Sequence, residues 1–307
     1  MEILTDLEPF FEPCAVALGL FDGVHLGHRE VICRAVDNTE DLLPMVLTFS
    51  IGHEKPVKKV GMKTILSDGM KCRRFEELGV KRVLMPKFED LRTFTADAFV
   101  EDILYKRLHA RMVVCGYDFR FGRGASGDAA YLQQKGEELG MRVIVVPPYL
   151  SDGKPVSSTS IRTLLSDGRI EDANRLLGER YSFDFTVIRG KQLGRMIGSP
   201  TINQEFPSDF LVPKFGVYAS CAKVKGEEYC AITNIGVKPT IEGHRRPLAE
   251  TYIIGLDMDL YGQNVEVGLV SFLRSEQKFP DIDTLTQAIQ RDVKKAQEIL
   301  RQTDVVC

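Results

Sequence analysis

The residues Gly19-Leu20-Phe21-Asp22-Gly23-Val24-His25-Leu26-Gly27-His28 bring together what a phosphate-handling turn requires. His25 and His28 stand three residues apart, where an apolar run ends and a helical pattern begins at Arg29. At a helix N-terminus the free N–H groups and the positive end of the dipole attract an anion, and imidazoles add hydrogen bonds to its oxygens. Gly19 and Gly23 leave room for close backbone approach. Of the five histidines in the chain, two fall in this one junction, which favours a site over a pair of unrelated surface residues.

Three further segments carry chemistry. Ser157-Ser158-Thr159-Ser160-Ile161-Arg162 places consecutive hydroxyls at the start of a short helix with Arg162 one turn in, a pattern that serves either as a helix cap or as a triphosphate clamp. Gly190-Lys191-Gln192-Leu193-Gly194-Arg195-Met196-Ile197-Gly198 has the glycine spacing of a phosphate-embracing loop, without being a Walker A motif or a dinucleotide fingerprint. After it come Thr201 and Asn203, which by spacing alone read as a turn, and Glu250, which by itself reads as a solvent-facing strand residue or as a carboxylate base.

These residues need a scaffold, and the hydrophobic pattern supplies one. From Cys14 to Pro148, apolar runs at Ala15–Leu20, Met45–Phe49, Val80–Met85, Met112–Cys115 and Val143–Val146 alternate with amphipathic stretches at Leu66–Leu78, Ala96–Leu108 and Asp128–Leu139. That alternation predicts an α/β, Rossmann-like, doubly wound parallel sheet, whose ligands lie beyond the carboxyl ends of the strands. Two short helices follow, Ser160–Leu165 and Ile170–Leu177. Beyond Phe183 the runs shorten at Phe185–Ile188, Gly216–Cys221, Tyr229–Thr233, Thr251–Gly255 and Val265–Phe272, which predicts a small antiparallel β-barrel. Leu285–Leu300 reads as a terminal helix packed on it. The boundary is placed near Tyr181, giving domains 1–181 and 182–307.

The 307 residues are 44% hydrophobic and 27% charged, with 40 Lys and Arg against 43 Asp and Glu for a net charge of −3. This balance excludes a disordered or fibrous chain and gives no general attraction to nucleic acid or anionic lipid. The modest basic stretch Lys55, Lys58, Lys59 and Lys63 lacks interleaved aromatics and reads as a solvated face. MEILTDLEPFFEP has neither the basic nor the apolar region of a signal peptide, and no apolar run approaches the roughly 18 residues of a membrane span. A cytoplasmic protein is expected, with no membrane or nucleic-acid partner. The seven cysteines are scattered without a C-x-x-C pair, so most read as buried free thiols.

The first motif resembles the G-x-F-D-G-x-H-x-G-H signature of nucleotidyltransferases. With Gly116-Tyr117-Asp118-Phe119-Arg120-Phe121-Gly122, Ser157–Arg162 and Leu176-Leu177-Gly178 in the same order, the chain is similar over nearly its whole length to the bifunctional riboflavin kinase/FMN adenylyltransferase family. The resemblance implies that FMN attacks the α-phosphorus of ATP to give FAD and pyrophosphate. His28 would then stabilise the developing charge. His25, Gly19, Phe21, Gly23, Gly116, Asp118, Phe119, Arg120, Ser157, Ser158, Thr159 and Arg162 would bind nucleotide or flavin. Asp22 would either cap the turn or assist a magnesium ion, and Phe119 and Phe121 alone read as loop packing.

In the second half, Ser199-Pro200-Thr201-Ile202-Asn203 resembles the riboflavin kinase motif G-F-P-T-A-N. There Thr201 and Asn203 would hold Mg²⁺ with ATP, Glu250 would take the proton of the ribityl 5′-hydroxyl, and Gly190, Gly194, Arg195, Gly198, Asn234 and Arg274 would line the nucleotide and flavin sites. Riboflavin, FMN, FAD and ATP are the implied small-molecule partners. Departures from the family pattern are Ser160 and Ala125 in place of arginines, Ser199 in place of Phe, and the altered Thr48–Pro56 loop containing His53. Each lost guanidinium would cost roughly 1.5–3 kcal/mol if it made a charged hydrogen bond. A riboflavin kinase with a weak adenylyltransferase half, and a non-catalytic flavin or nucleotide sensor, are therefore the competing readings.

Overall fold

Strand β2 (Cys14–Leu18) is wholly apolar and wholly buried, as the central strand of a sheet covered on both faces must be. The computed structural model describes residues 1–37, 41–49, 62–190, 199–239 and 245–301. Its contacts separate into two units, Met1–Ser158 and Thr159–Cys307.

In the first unit β2 is joined by β1 (Glu2–Leu4), β3 (Leu43–Leu47), β4 (Arg82–Leu84), β5 (Ala110–Gly116) and β6 (Arg142–Val146) in the parallel order β1-β4-β3-β2-β5-β6. The chain winds outward from β2 through β3 to β4, then returns past β2 to β5 and β6. The direction of winding therefore reverses between β2 and β5, where a doubly wound sheet opens its ligand crevice. Strand β1 has no counterpart in the five strands expected from sequence, because three residues at a sheet edge leave no legible period.

Helix α1 (Leu26–Val36) follows β2 and buries Val31, Ile32 and Ala35. Helix α2 (Asp68–Glu77) starts at Ser67, whose hydroxyl accepts from the Met70 N–H, and is followed by Gly79 at φ +95°. Helix α3 (Ala129–Glu138) is capped by Asp128, which accepts from Tyr131 N–H at 2.9 Å. The single helix expected over Ala96–Leu108 is instead a short turn at Ala96–Ala98 followed by a wider i→i+5 coil over Phe99–Arg107, closed by Leu108 N–H donating to Ile103 O at 2.9 Å. This winding turns Phe99, Val100, Ile103 and Leu104 onto the sheet.

The second unit takes in α4 (Ser158–Asp167, from its second residue) and α5 (Ile170–Leu177), ended by Gly178 in the left-handed conformation. Its six-stranded antiparallel sheet has the order β7-β12-β9-β10-β11-β8, from β7 (Ser182–Phe183), β8 (Thr201–Glu205), β9 (Gly216–Val224), β10 (Glu227–Pro239), β11 (Arg245–Ile253) and β12 (Glu266–Arg274). The expected strand Phe185–Ile188 appears as two isolated bridges, Thr186 with Asn264 and Ile188 with Asn203. Those bridges carry the chain from the β7 edge to the β8 edge and close the barrel. Phe183, Phe185, Phe206 and Phe210 pack ring against ring beside this closure. Helix α6 (Ile282–Arg301) lies against β9 and β10.

Asn174 ties α5 to the barrel by donating to Leu269 O at 2.9 Å and accepting from Tyr181 N–H at 2.7 Å. Five cysteines, Cys14, Cys33, Cys72, Cys115 and Cys221, are free, as the composition suggested for most of them, and Cys230 is disulfide-bonded. Burial pushes the thiols of Cys14 and Cys115 up to about 12 and that of Cys221 up to about 11, which keeps them neutral and unreactive. Among the described residues no helix is long and apolar enough to cross a membrane.

Candidate functional sites

The first site forms where β2 ends. His25 is the N-cap of α1, with extended backbone (φ −66°, ψ 170°), and its Nδ1 accepts the His28 N–H at 3.3 Å. A neutral ring accepting at Nδ1 carries its proton on Nε2, where it can be donated to a ligand oxygen. The His28 ring stacks on that of His25 at 3.5 Å between centroids, and Phe21 stands edge-on to it at 5.4 Å. Phe21 is buried against Phe75 and so fixes the side of the site against which the His28 ring rests. A Cβ on Gly19 would fall 2.8 Å from the Phe21 ring, so glycine at this position is required by the packing.

The turn between strand and helix is strained. Phe21 and Val24 take φ of +52° and +39°, and Gly23 sits at +89°. Asp22, 3% exposed, anchors it: Oδ1 accepts the Ile65 N–H at 2.9 Å and the Leu66 N–H at 3.5 Å. Of the two readings open from sequence, these contacts support the cap. Ser158 Oγ donates to the Asp22 carbonyl at 2.9 Å, which fastens the last residue of the first unit to the histidine turn. Thr159 and Arg162 continue along α4 and belong to the second unit.

Across the winding reversal, Leu18 of β2 pairs with Cys115 of β5, so the Gly116–Gly122 loop leaves the same sheet edge beside Gly19. Asp118 is exposed there, and Phe119 stacks on Phe121 at 5.7 Å. Arg120 is paired with Asp128 at 3.4 Å. Ala125, at φ +57°, stands where the family resemblance calls for arginine. His53, Lys55, Lys58 and Lys59 lie outside the described residues.

The sequence reading missed Lys71 and Thr48. Thr48 Oγ1 donates to Leu20 O at 3.0 Å, and the wholly buried Lys71 ammonium donates to Phe49 O at 2.9 Å. Burial, its largest influence, lowers the lysine's proton affinity, opposed by Asp68, Asp22 and Cys72. Nothing in the pattern marked it, because a lysine on an amphipathic helix reads as solvent-facing.

The second site is a row on the barrel wall. Asn203 of β8 pairs with Glu250 of β11, and Glu250 pairs on its other side with Asn234 of β10. Directly opposed residues point to the same face, so the two amides flank the carboxylate. Thr201, two residues before Asn203, joins that face. The stretch that spacing alone would make a turn is thus a strand. Asn234 also donates to Glu276 Oε1 at 3.3 Å.

Gly190 approaches this row closely. A Cβ there would come 2.5 Å from Asn203 Nδ2, and Asn203 is 6% exposed and has little space to yield. Gly194, Arg195 and Gly198 lie outside the described residues. Arg274 pairs with Asp292 of α6, Nη2 to Oδ2 at 2.7 Å and Nε to both oxygens at 3.0 and 3.1 Å, which fastens the terminal helix to β12. No cluster of three or more His, Cys, Asp or Glu suited to a metal occurs among the described residues.

With this geometry in place, comparisons with known proteins add independent support. A family model described as FAD synthetase matches residues 7–160, and one described as riboflavin kinase matches residues 177–300. A bifunctional riboflavin kinase/FMN adenylyltransferase of Escherichia coli K12 is 35% identical over 297 residues, covering 94% of this chain and 93% of that protein. Its counterpart in Bacillus subtilis 168 is 34% identical over 294 residues, covering 92% and 90%. A crystal structure described as a macrolide-efflux protein from Streptococcus pneumoniae has a TM-score of 0.83 at 26% identity, covering 97% of this chain and 99% of its own.

Proposed function

This chain belongs to the bifunctional riboflavin kinase/FMN adenylyltransferase family, and from that membership we propose how its own residues divide the work. The protein phosphorylates riboflavin to FMN and adenylylates FMN to FAD, with ATP as the second substrate of each step. The functional division is proposed near Tyr181, and the cytoplasm, where these substrates are at hand, is the proposed location.

In the first half the FMN phosphate oxygen attacks the α-phosphorus of ATP, and the bond to the departing pyrophosphate breaks. No covalent enzyme intermediate is needed, so the protein's task is to position the groups and neutralise charge. His25 donates from Nε2, His28 meets the developing charge, and the N–H groups at the start of α1 complete the anion site. Asp22 holds the turn through Ile65 and Leu66. Gly19, Phe21 and Gly23 shape it, while Gly116, Asp118, Phe119 and Arg120 border the flavin or nucleotide. Ser157, Ser158, Thr159 and Arg162 are assigned to the ATP phosphates.

In the second half the observation that carries the reading is the register Asn203–Glu250–Asn234. Glu250 accepts the proton of the ribityl 5′-hydroxyl as that oxygen attacks the γ-phosphorus and ADP leaves. Thr201 and Asn203 offer only oxygen donors suited to a hard cation, in a set too small to bind one without the substrate's phosphates, which fits Mg²⁺. A magnesium ion held there would neutralise phosphate charge. Gly190 leaves room for the Asn203 amide, and Gly194, Arg195 and Gly198 are assigned to the nucleotide phosphates. Asn234 borders the nucleotide, and Arg274 supports the flavin side through its hold on α6.

The test is to incubate the protein with riboflavin, ATP and Mg²⁺ and to separate the flavins over time. FMN appears first and FAD follows. His28→Ala stops FAD formation while FMN accumulates; Glu250→Gln stops FMN formation, yet supplied FMN is still converted. FAD synthesis at the wild-type rate in His28→Ala would overturn the first assignment, and FMN synthesis at the wild-type rate in Glu250→Gln the second.

A further inference from the structure

A lysine with no exposed surface is rare unless its ammonium is put to use, because removing the charge from water costs several kcal/mol. Lys71 is such a residue, 0% exposed, in the helix beneath the first site. Its Nζ donates to Phe49 O at 2.9 Å, approaches Thr48 Oγ1 at 3.4 Å and lies 3.5 Å from Asp68 Oδ1 on its own helix. Thr48 passes the connection on, its hydroxyl bonding to Leu20 O at 3.0 Å. Phe49 is the second residue past β3 and Leu20 the second past β2, so one ammonium gathers the carboxyl ends of two adjacent strands.

What it gathers is the strained turn. Phe21 and Val24 hold positive φ between Leu20 and the His25 cap. Such residues are strained and persist only where the surroundings over-determine them. The Asp22 bond to Ile65 and the Ser158 bond to the Asp22 carbonyl constrain the turn from one side, and the Lys71–Thr48–Leu20 chain holds its first residue from the strand ends. Resting on the adenylyl-transfer reading above, we propose that Lys71 is a positioning residue for FAD formation, its ammonium locking the Leu20–Phe21 turn so that His25 and His28 meet the nucleotide in reactive geometry. The groups facing the ammonium are Thr48 and the Phe49 carbonyl after β3, Asp22 in the turn, and Asp68 and Cys72 on α2.

The experiment follows FAD formation from FMN and ATP in the full chain, with riboflavin phosphorylation in the same preparations as the internal control. Lys71→Met lowers kcat for FAD formation by about thirtyfold or more, because misplacement near reacting groups costs rate steeply, and leaves FMN formation within about twofold. Lys71→Arg, which keeps its charge at every accessible pH, restores part of that loss. It also lacks the alkaline fall in kcat that the wild type shows when Lys71 gives up its proton. A role in stability alone would leave the pH profiles of wild type and Lys71→Arg superimposable, and that outcome overturns the proposal, as does wild-type kcat in Lys71→Met.

Should Lys71→Met fail to fold, Thr48→Val removes only the hydroxyl link to Leu20 and lowers kcat by about fivefold. Wild-type kcat in Thr48→Val would equally overturn the proposal. Wild-type protein that forms FMN but never FAD would overturn the adenylyl-transfer reading itself, and this proposal with it.

Discussion

Replacing Asp22 separates the two roles open to that carboxylate from sequence. Its Oδ1 accepts from the buried Ile65 N–H at 2.9 Å, a well-formed charge-assisted bond, and from Leu66 N–H at 3.5 Å, which is too long to add much. Asp22→Ala leaves the Ile65 donor unsatisfied in a fully buried position, a cost of about 2–3 kcal/mol. Asp22→Asn keeps an acceptor of the same shape and costs about 1 kcal/mol. Because the chain has two units, a single melting curve would mix their transitions, so amide hydrogen exchange of the Thr64–Met70 segment is the better assay. Where exchange proceeds through local opening, the alanine variant exchanges at Ile65 roughly 30- to 150-fold faster than wild type and the asparagine variant about fivefold faster. FAD formation should fall in the same order, more in alanine than in asparagine. If both variants lost FAD formation equally while exchange at Ile65 and Leu66 stayed at the wild-type rate, Asp22 would act on a metal or ligand and the capping argument would be refuted.

Two other expectations follow from the same geometry. Arg274→Ala and Asp292→Ala should destabilise the docking of α6 to a similar extent, by about 2–3 kcal/mol, since either change breaks the same largely buried pair. Arg274→Lys should recover little, because an ammonium cannot make the bidentate contact; unfolding by denaturant with a probe in α6 checks this, and a much smaller loss in Asp292→Ala would show that Arg274 acts elsewhere. The thiols of Cys14 and Cys115, raised from 9.0 to about 12 by burial, should resist alkylation at pH 8 in the folded protein. Because the folded values are raised, the stability they confer is complete below about pH 9 and declines from there toward 12, so alkaline unfolding should be steeper in wild type than in Cys115→Ala. Rapid labelling of Cys115 at pH 8 would contradict this.

Much of this protein was determined by its sequence alone. The alternation of apolar runs and amphipathic stretches from Cys14 to Pro148 specifies a parallel sheet, since each run must be covered on both faces. The Gly19–His28 junction could be placed at a strand end and helix start because glycine spacing and capping chemistry act over a few residues. The helix at Ile170–Leu177 is local in the same sense, as periodicity and Gly178 define both its ends.

Tertiary structure decided what local pattern cannot encode. Strand Thr201–Glu205 is a strand because Glu250 and its neighbours pair with it from far along the chain, from Thr201↔Tyr252, 51 residues apart, to Glu205↔Leu248, 43 apart, and that register alone aligns Asn203, Glu250 and Asn234. Asp22 became a cap only when Ile65 arrived beside it. Lys71 is solvent-facing by composition and buried in fact, because the ends of β2 and β3 present a carbonyl and a hydroxyl that only folding brings within reach of its ammonium. Arg274 likewise finds Asp292 only after the last helix has docked. In each case the partner is distant in sequence, and a residue's type states what it can bind but not which group the fold will set against it.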